Sequence, residues 1–597
     1  MKLYKSKAKN GTITYYVQKG FRVKREDGTS KSTTKNIERL GTHQELLDKG
    51  IKDPEAWALA YIEELNKKAA SEKPPVISLQ FDPSKLIPSG KQALLNCGYL
   101  FLQSIYYDLG LHEICYSIGR RRQYEFNLNE ILSRLVYCRV LFPASKHGTF
   151  KFSKTLIEQP SFELHQIYRA LSVLAEENAF IQAQLYKNSK KYAARNDRIL
   201  YYDCTNFFFE TEQAEGLKQY GYSKEHRPLP IVQLGLFMDA DGIPLAFSVH
   251  NGNTNEQTTL KPLEKQIIQD FSHSKFTVCT DAGLSSGPNR WFNNISDRAF
   301  ITTVSLKAMA KERSKKLREP TGWKLSGTPG KTYNIDEIGS DEALRQQYFD
   351  AVFYKEEWFI DDIDDTDRNG NSIKRKLPQR FIVTFSFKYQ QYQKKIRDEQ
   401  LKRAAKAIRN REPGFNKKNM NDYHRFIRQI ASTGDGEIAE ERSYYIDEDQ
   451  IANESQYDGF YAVATSLEDD AVVISKISHD RWQIEESFRI MKSEFRARPV
   501  YLSRDDRICA HFLTCFLALY VYRYLEKRLG GRFSCQQTLT TLRNMSMYKV
   551  DGDGYIPAYT RTELTDALHE EFGFHTDYEI VPQATMKKIF SQTKNRG

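Results

Sequence analysis

The sequence predicts an α/β protein. A mixed sheet flanked by helices is interrupted by a β-rich insertion, and a small N-terminal β unit and an all-α region come before the sheet. Three observations predict this. Apolar residues recur at helical spacing from Lys91 to about Ala194. The period then changes: Arg198–Phe209 is an aromatic-rich run, and apolar runs of strand length follow at Ile231–Met238, Ile243–Val249, Lys275–Cys279 and Arg298–Val304. A long stretch then intervenes before one more strand, Gly459–Thr465, and a helix, Asp480–Phe495.

Composition sets the outer limits. Of the 597 residues, 40% are hydrophobic and 28% charged, a balance that supports a large core and excludes disorder as the main state. At roughly 150 residues per domain the length fits about four units. The net charge of +11 favours a polyanionic partner. Eight cysteines without a Cys-x-x-Cys pair argue against a zinc ribbon, a thioredoxin motif or a disulfide scaffold, and fit reduced cytoplasmic thiols. The basic amino terminus has no apolar run behind it, so no secretory signal is expected. The most apolar stretch, Ile508–Tyr522, is shorter than the roughly 20 residues that span a bilayer. It reads as a buried helix of a soluble protein, with no membrane partner.

Residues 1–50 read as a basic β unit: Thr12–Val17 alternates, and Glu26-Asp27-Gly28 is a turn signal. Eleven Lys/Arg stand against three Asp/Glu in the first 40 residues, a surface suited to phosphates. Residues 51–90 hold a helix, Asp53–Ala70, with Trp57, Leu59, Ile62 and Leu65 as apolar positions. A linker with four prolines, Glu72–Pro88, follows it. Residues 91–197 form the all-α region, read from the spacing of Leu94-Leu95, Leu102, Ile105, Ile131-Leu132, Leu135, Ile167, Leu171 and Leu174.

Residues 198–304 give three antiparallel strands, a helix, a strand, a helix and a strand, with Asp239-Ala240-Asp241-Gly242 as the second turn. That is the order of an RNase H-like core, which finishes with a long helix packed on the sheet. Here an insertion, residues 305–457, delays that helix. It contains an acidic loop Asp361–Asp367, a strand Arg380–Ser386 and a basic helix Lys388–Arg411 with nine Lys/Arg against two Asp/Glu. This helix is a second basic surface suited to phosphates, and reads equally as a solvated face. Residues 458–530 supply the second part of the core, and 531–597 a C-terminal helical region.

Three carboxylates carry the chemistry. Asp203 lies in the first strand of the core, Asp281 just past the fourth, where open sheets put ligand-binding groups, and Glu485 on the late helix. Brought together, they form a hard-oxygen site for Mg²⁺ or Mn²⁺. Two such ions roughly 3.5–4 Å apart serve phosphodiester displacement. Singly, each acid reads as a turn residue or cap; the joint placement carries the argument. Stepped at about 100° per residue, Glu485 falls about 40° and Lys492 about 20° from Arg481, and Glu486 about 140° away. Ile484, Phe488, Met491 and Phe495 form the adjoining apolar stripe. By itself, Arg481–Glu485 reads as an ordinary i,i+4 ion pair.

The run Arg481–Lys492 resembles the YREK signature of bacterial insertion-sequence DDE transposases, Y-x₂-R-x₃-E-x₆-K. Arg481, Glu485 and Lys492 match it, and Ser478 stands at the tyrosine position. Tyr201–Thr205 resembles the family's first-Asp strand and Thr280–Leu284 its second-Asp motif. Gly221–Arg227 and Gly252-Asn253-Thr254 are further matches, and the likeness covers most of the chain.

The resemblance implies a cut-and-paste DNA transposase. Asp203, Asp281 and Glu485 would hold two Mg²⁺ ions, with Mn²⁺ as a substitute. Water attack would free a 3′-OH at each transposon end, and that hydroxyl would attack target DNA. Arg481 and Lys492 would contact phosphates near the scissile bond, as would Lys224 and Arg227 from the loop after the first strand, while Lys402 and Arg403 of the basic helix would meet the DNA backbone. Some relatives cut the second strand through a hairpin, with a base flipped onto an insertion-domain aromatic; Trp323 and Trp358 both lie in the insertion, and the sequence does not choose between them. The implied partners are double-stranded DNA (terminal inverted repeats and target) and a second copy of the chain in a synaptic homodimer. The implied location is the bacterial cytoplasm, at the nucleoid. Two rival readings stand beside this one. An RNase H-like nuclease without strand transfer would use the same acids. A domesticated, non-catalytic DNA-binding protein would keep the basic surfaces and lose an acid, yet all three are present.

Overall fold

Alternation in the first 42 residues builds a three-stranded antiparallel sheet from β1 (Lys2–Lys7), β2 (Ile13–Lys24) and β3 (Ser30–Thr42). Its period of two sends Tyr15 and Val17 to one face, where they pack with Leu40, Leu46, Ala58 and Ile62. A capping box between Thr42 and Glu45 starts the short helix His43–Asp48. In the next helix, Pro54–Ser71, the expected apolar face is corrected: Ala58 and Ile62 are buried, whereas Trp57 and Leu59 are exposed. Trp57 stacks on Tyr61 instead, at 5.6 Å between ring centroids.

This computed structural model describes residues 1–8, 11–24, 30–71, 77, 82–84, 86, 89–90, 92–328, 330–366, 370–410, 422–430, 443–550 and 553–594. The turn Glu26-Asp27-Gly28, most of the linker Glu72–Pro88, Asp367 and Arg411 lie outside the described residues. The chain divides into two units, Met1–Gly90 and Lys91–Gly597.

The second unit does not open on a helix. Leu94–Asn96 is a strand, β4, and six helices between Tyr99 and Tyr192 follow it. The central strands come next: β5 (Ile199–Phe208), β6 (Ile231–Asp239), β7 (Pro244–Asn251), β8 (Thr277–Thr280) and β9 (Ala299–Thr303). Beyond them lie β10 (Lys324–Leu325), β11 (Phe353–Thr366), β12 (Ser372–Phe385), the hairpin β13 (Ile427–Ile430) and β14 (Ser443–Ile446), and β15 (Phe460–Thr465). Near the end are β16 (Ser546–Val550), β17 (Gly554–Pro557) and β18 (Val581–Pro582). The expected all-helical start and end are thus corrected, because β4 joins β16, β17 and β18 in one four-stranded sheet. A Cβ on Gly98 would lie 2.1 Å from the Leu542 carbonyl oxygen, so only glycine allows the approach that brings the two ends together.

The large sheet is mixed and nine-stranded, in the order β10-β11-β12-β15-β9-β8-β5-β6-β7. β5, β6 and β7 are antiparallel neighbours, β8 and β9 run parallel to β5, and β15 pairs antiparallel with β9. Strands from residues 305–457 therefore extend the same sheet. Their apolar side chains, among them Trp323, Phe353 and Phe385, pack in one core with Phe300 of β9 and Ala464 of β15. Helices cover the sheet: Leu260–Asp270 packs with Tyr202 and Cys204 on one face. On the other face, Trp482–Arg489 and Asp505–Arg528 pack with Tyr201 and Phe207.

Three further expectations change. Asp361–Thr366 is strand, not loop, because Asp362 lies opposite Lys376 and Asp364 opposite Lys374, and Asp365 pairs with Arg375 at 2.7 Å. The late helix is longer and broken: Ala471–Asp480 ends at Arg481, Trp482–Arg489 follows, and Ile490–Glu494 forms a wider π turn that moves Lys492 off a regular helical phase. The apolar helix spans Asp505–Arg528, long and apolar enough to cross a membrane by length and composition, but 94% of that window is buried inside the protein.

Candidate active site

Asp203 and Asp281 come from neighbouring parallel strands. Tyr201 of β5 lies opposite Cys279 of β8, so two residues further along each strand reach the two carboxylates. Asp203 shares the face of β5 that carries Tyr201 and Phe207, the face on which the helix Trp482–Arg489 packs. The Asp203 side chain accepts from the Cys204 backbone N–H at 2.7 Å. Asp281 accepts from the Leu284 N–H at 3.1 Å, and the Thr302 hydroxyl donates to the Asp281 carbonyl at 3.2 Å.

Arg481 connects this pair to the helix. Its guanidinium lies 3.9 Å from Asp203 and 3.2 Å from Glu485. Arg481 sits at the break between two helices, and Glu485 is in the first turn of the second. Glu485 is 60% exposed, whereas Glu486 is turned to Arg489 at 3.2 Å and Arg523 at 3.6 Å. Arg523, itself buried, also donates to Ser487 at 2.9 Å and to Glu526 at 2.6 Å, fastening the helix to Asp505–Arg528.

Burial and neighbouring charge shift the pKa values of these groups. Burial pushes the Asp203 carboxyl up to about 6; Asp281 adds to the push, while Lys224, the Cys204 N–H and Arg481 oppose it. Burial works against the Lys224 ammonium, but Asp203 and Glu256 outweigh it and leave its pKa raised. Lys224 donates to the Cys204 carbonyl at 2.5 Å and pairs with Glu256 at 3.4 Å. Burial, then Lys224, lowers Lys492 to about 8, and its ammonium stands 5.6 Å from the Phe207 ring centroid.

The loop carrying Lys224 is pinned by glycines. A Cβ on Gly221 would lie 1.9 Å from the Gly252 carbonyl oxygen, and one on Gly252 would lie 2.2 Å from that of Ile231. The glycines of both motifs are thus needed for backbone approach. Arg227, farther along, pairs with Glu225 at 3.4 Å and covers the Phe208 ring at 4.2 Å.

Other expected site residues lie elsewhere. Lys402 and Arg403 are on the exposed side of the helix Phe387–Arg409, where Lys402 pairs with Glu399 at 2.9 Å. Trp323 is fully buried against Phe385 and Phe460, while Trp358 on β11 is about half exposed. The residues missed by sequence reasoning are Glu256, Arg523 and Tyr461. Only Glu256 had a signal, its closeness to Gly252-Asn253-Thr254. Tyr461 of β15 brings its hydroxyl to 2.9 Å from Ser478 Oγ, a cross-element contact that no local pattern announces.

The donor set is entirely carboxylate oxygen, and Asp203 carries the upward push that a bound dication relieves. Arg481 stands between Asp203 and Glu485 with its Nε lacking a hydrogen-bond partner. The chemistry of these side chains fits a hard divalent cation, although the oxygens of Asp203, Asp281 and Glu485 do not all lie within 4.8 Å of one another.

Residues 196–521 match the family described as the Transposase DDE domain. No curated protein matches the chain. Among solved structures, the cryo-EM structure of a piggyBac transposase synaptic complex with hairpin DNA is similar at 9% sequence identity. The match has a TM-score of 0.33 and covers 84% of this chain and 85% of that one.

Proposed function

The chain belongs to the Transposase DDE domain family, and from that premise we propose that it cuts DNA at transposon ends and joins the freed 3′-OH to target DNA. The observation that carries the proposal is the meeting of Asp203 and Asp281 on adjacent parallel strands, with Glu485 linked to Asp203 through Arg481. The strand order β7-β6-β5-β8-β9, with the late helix on the face of β5 that carries Asp203, supports reading this part as an RNase H-like core with the insertion built onto one edge.

In this reading Asp203, Asp281 and Glu485 would hold Mg²⁺, two ions in all, with Mn²⁺ as a substitute. Divalent cations supply nucleophile activation and charge neutralisation in phosphodiester displacement. The chain's own cations do the remaining electrostatic work. Lys224 and Lys492 flank Asp203 and would grip phosphates beside the scissile bond. Arg481, now beside Asp203 and Glu485, would bind a phosphate oxygen of the DNA. Arg227, Lys402, Arg403 and the basic N-terminal strands would take other stretches of the DNA backbone. The same reading makes the working unit a homodimer on paired ends, and puts the protein in the bacterial cytoplasm at the nucleoid.

The test is cleavage of labelled DNA carrying the flanking element's ends in Mg²⁺, with a target plasmid present, for wild type and Glu485→Gln. Cutting and joining by wild type, with Glu485→Gln binding the ends but doing neither, is the expected result. Cut ends that are never joined would indicate a nuclease. Binding without cutting in Mg²⁺ or Mn²⁺ would indicate a regulatory DNA-binding protein.

A further inference from the structure

A pocket of about 370 Å³ opens beside the loop that follows the late helix. Its cationic lining is Arg139, Lys146, Arg496 and Arg498, beside His511, whose pKa burial lowers; among the described residues no carboxylate lines it, although Arg498 reaches Glu225 outside. Lys146 is only 4% exposed, and its Nζ has no hydrogen-bond partner. Arg139, 3% exposed, donates to the carbonyls of Ala144 at 3.1 Å and Phe495 at 3.0 Å, and its Nε is likewise without a partner. The His511 Nε2–H donates to the Ala497 carbonyl at 3.0 Å. Ser145 caps the helix Lys146–Ser153, so the positive end of that helix also borders the pocket.

A buried ammonium without a partner is costly, and folded proteins supply a counter-charge or hydrogen-bond acceptor for such a group. Among the described residues none supplies either to Lys146. Burial, then Arg139, lowers the Lys146 pKa to about 7, a shift an anion would reverse. The missing partner is therefore an anion with several acceptor oxygens, small enough to enter beside three guanidinium groups.

We propose that this pocket binds a phosphate group, and that the phosphate belongs to DNA held at the neighbouring site. The second half rests on the DNA-cutting reading above. Arg498 joins the two places: it pairs with Glu225, next to Lys224, and its guanidinium stands 5.7 Å from the Phe208 ring that Arg227 also covers. Strand β5, which carries Asp203, ends at Phe208, so a backbone leaving the carboxylates past Lys224 meets Arg498 next.

The test uses the full chain as wild type, Lys146→Met and Arg496→Gln. Arg496 is exposed, so its variant guards against a folding failure at Lys146. Inorganic phosphate is expected to raise the wild-type melting temperature above that in chloride at equal ionic strength, with the rise lost in Lys146→Met and reduced in Arg496→Gln. For duplex DNA, the slope of log affinity against log salt should fall by about 1 in Lys146→Met, the loss of one phosphate contact. Equal phosphate response and equal slope in all three proteins would overturn the proposal. A phosphate response lost in Lys146→Met with an unchanged DNA slope would overturn the assignment to DNA. Failure of the DNA-cutting reading is seen separately, as wild type that does not cut.

Discussion

At the scale of single residues, the candidate site keeps a carboxyl where the metal-free fold disfavours its charge. Asp203 rises from 3.8 to about 6 through burial and Asp281. A raised acid pKa means that the folded state binds the proton more tightly than the unfolded chain. The relative stability is therefore greatest below about 4 and is lost as pH rises through about 6. Asp203→Asn should then stabilise the metal-free protein at pH 7 by about 3 kcal/mol, with the gain gone at pH 4, as read by chemical denaturation in EDTA. Mg²⁺ affinity of the wild type should fall below pH 6 for the same reason. Asp203 was legible because it sits in an aromatic-rich strand followed by matching motifs. The Lys146 pocket was not, because its walls come from residues near 140, 498 and 511, which only the folded chain assembles.

At the scale of elements, the site depends on how its loop and helix are fastened. Gly221→Ala would force a Cβ against the Gly252 carbonyl, so the loop must shift and carry Lys224 with it. End cutting should drop at least tenfold, with a lower melting temperature, while far-ultraviolet circular dichroism stays near wild type. Arg523→Met would leave Glu526 and Glu486 without their buried partner. The cost should be roughly 1–3 kcal/mol by denaturation, because both carboxylates keep some solvent and Glu486 keeps Arg489, and cutting should fall more than DNA binding. Helical periodicity found the Arg481–Glu485 pairing because i,i+4 is a local relation. It missed the π turn at Ile490–Glu494 and the strand nature of Asp361–Thr366. The latter is held by Lys374, Arg375 and Lys376 on the opposite strand, and charge alone made it look like a loop.

At the scale of the whole molecule, chain order and spatial order diverge. The sequence reads as a core, an insertion and a return to the core, but the strands of residues 305–457 extend the same nine-stranded sheet. The all-helical beginning and end were misread because a three-residue strand at Leu94–Asn96 leaves no periodic trace, and its partner lies about 450 residues away at Ser546–Tyr548. What local pattern does fix is the placement of the three carboxylates on a strand, a strand end and a helix. The claim that they act together on a metal is tested most directly by Asp281→Cys, assayed for cutting of labelled transposon ends. A thiolate is a poor ligand for Mg²⁺ and a better one for softer ions. The variant should be inactive in Mg²⁺ and regain cutting in Mn²⁺. Wild-type cutting by Asp281→Cys in Mg²⁺ would contradict the account.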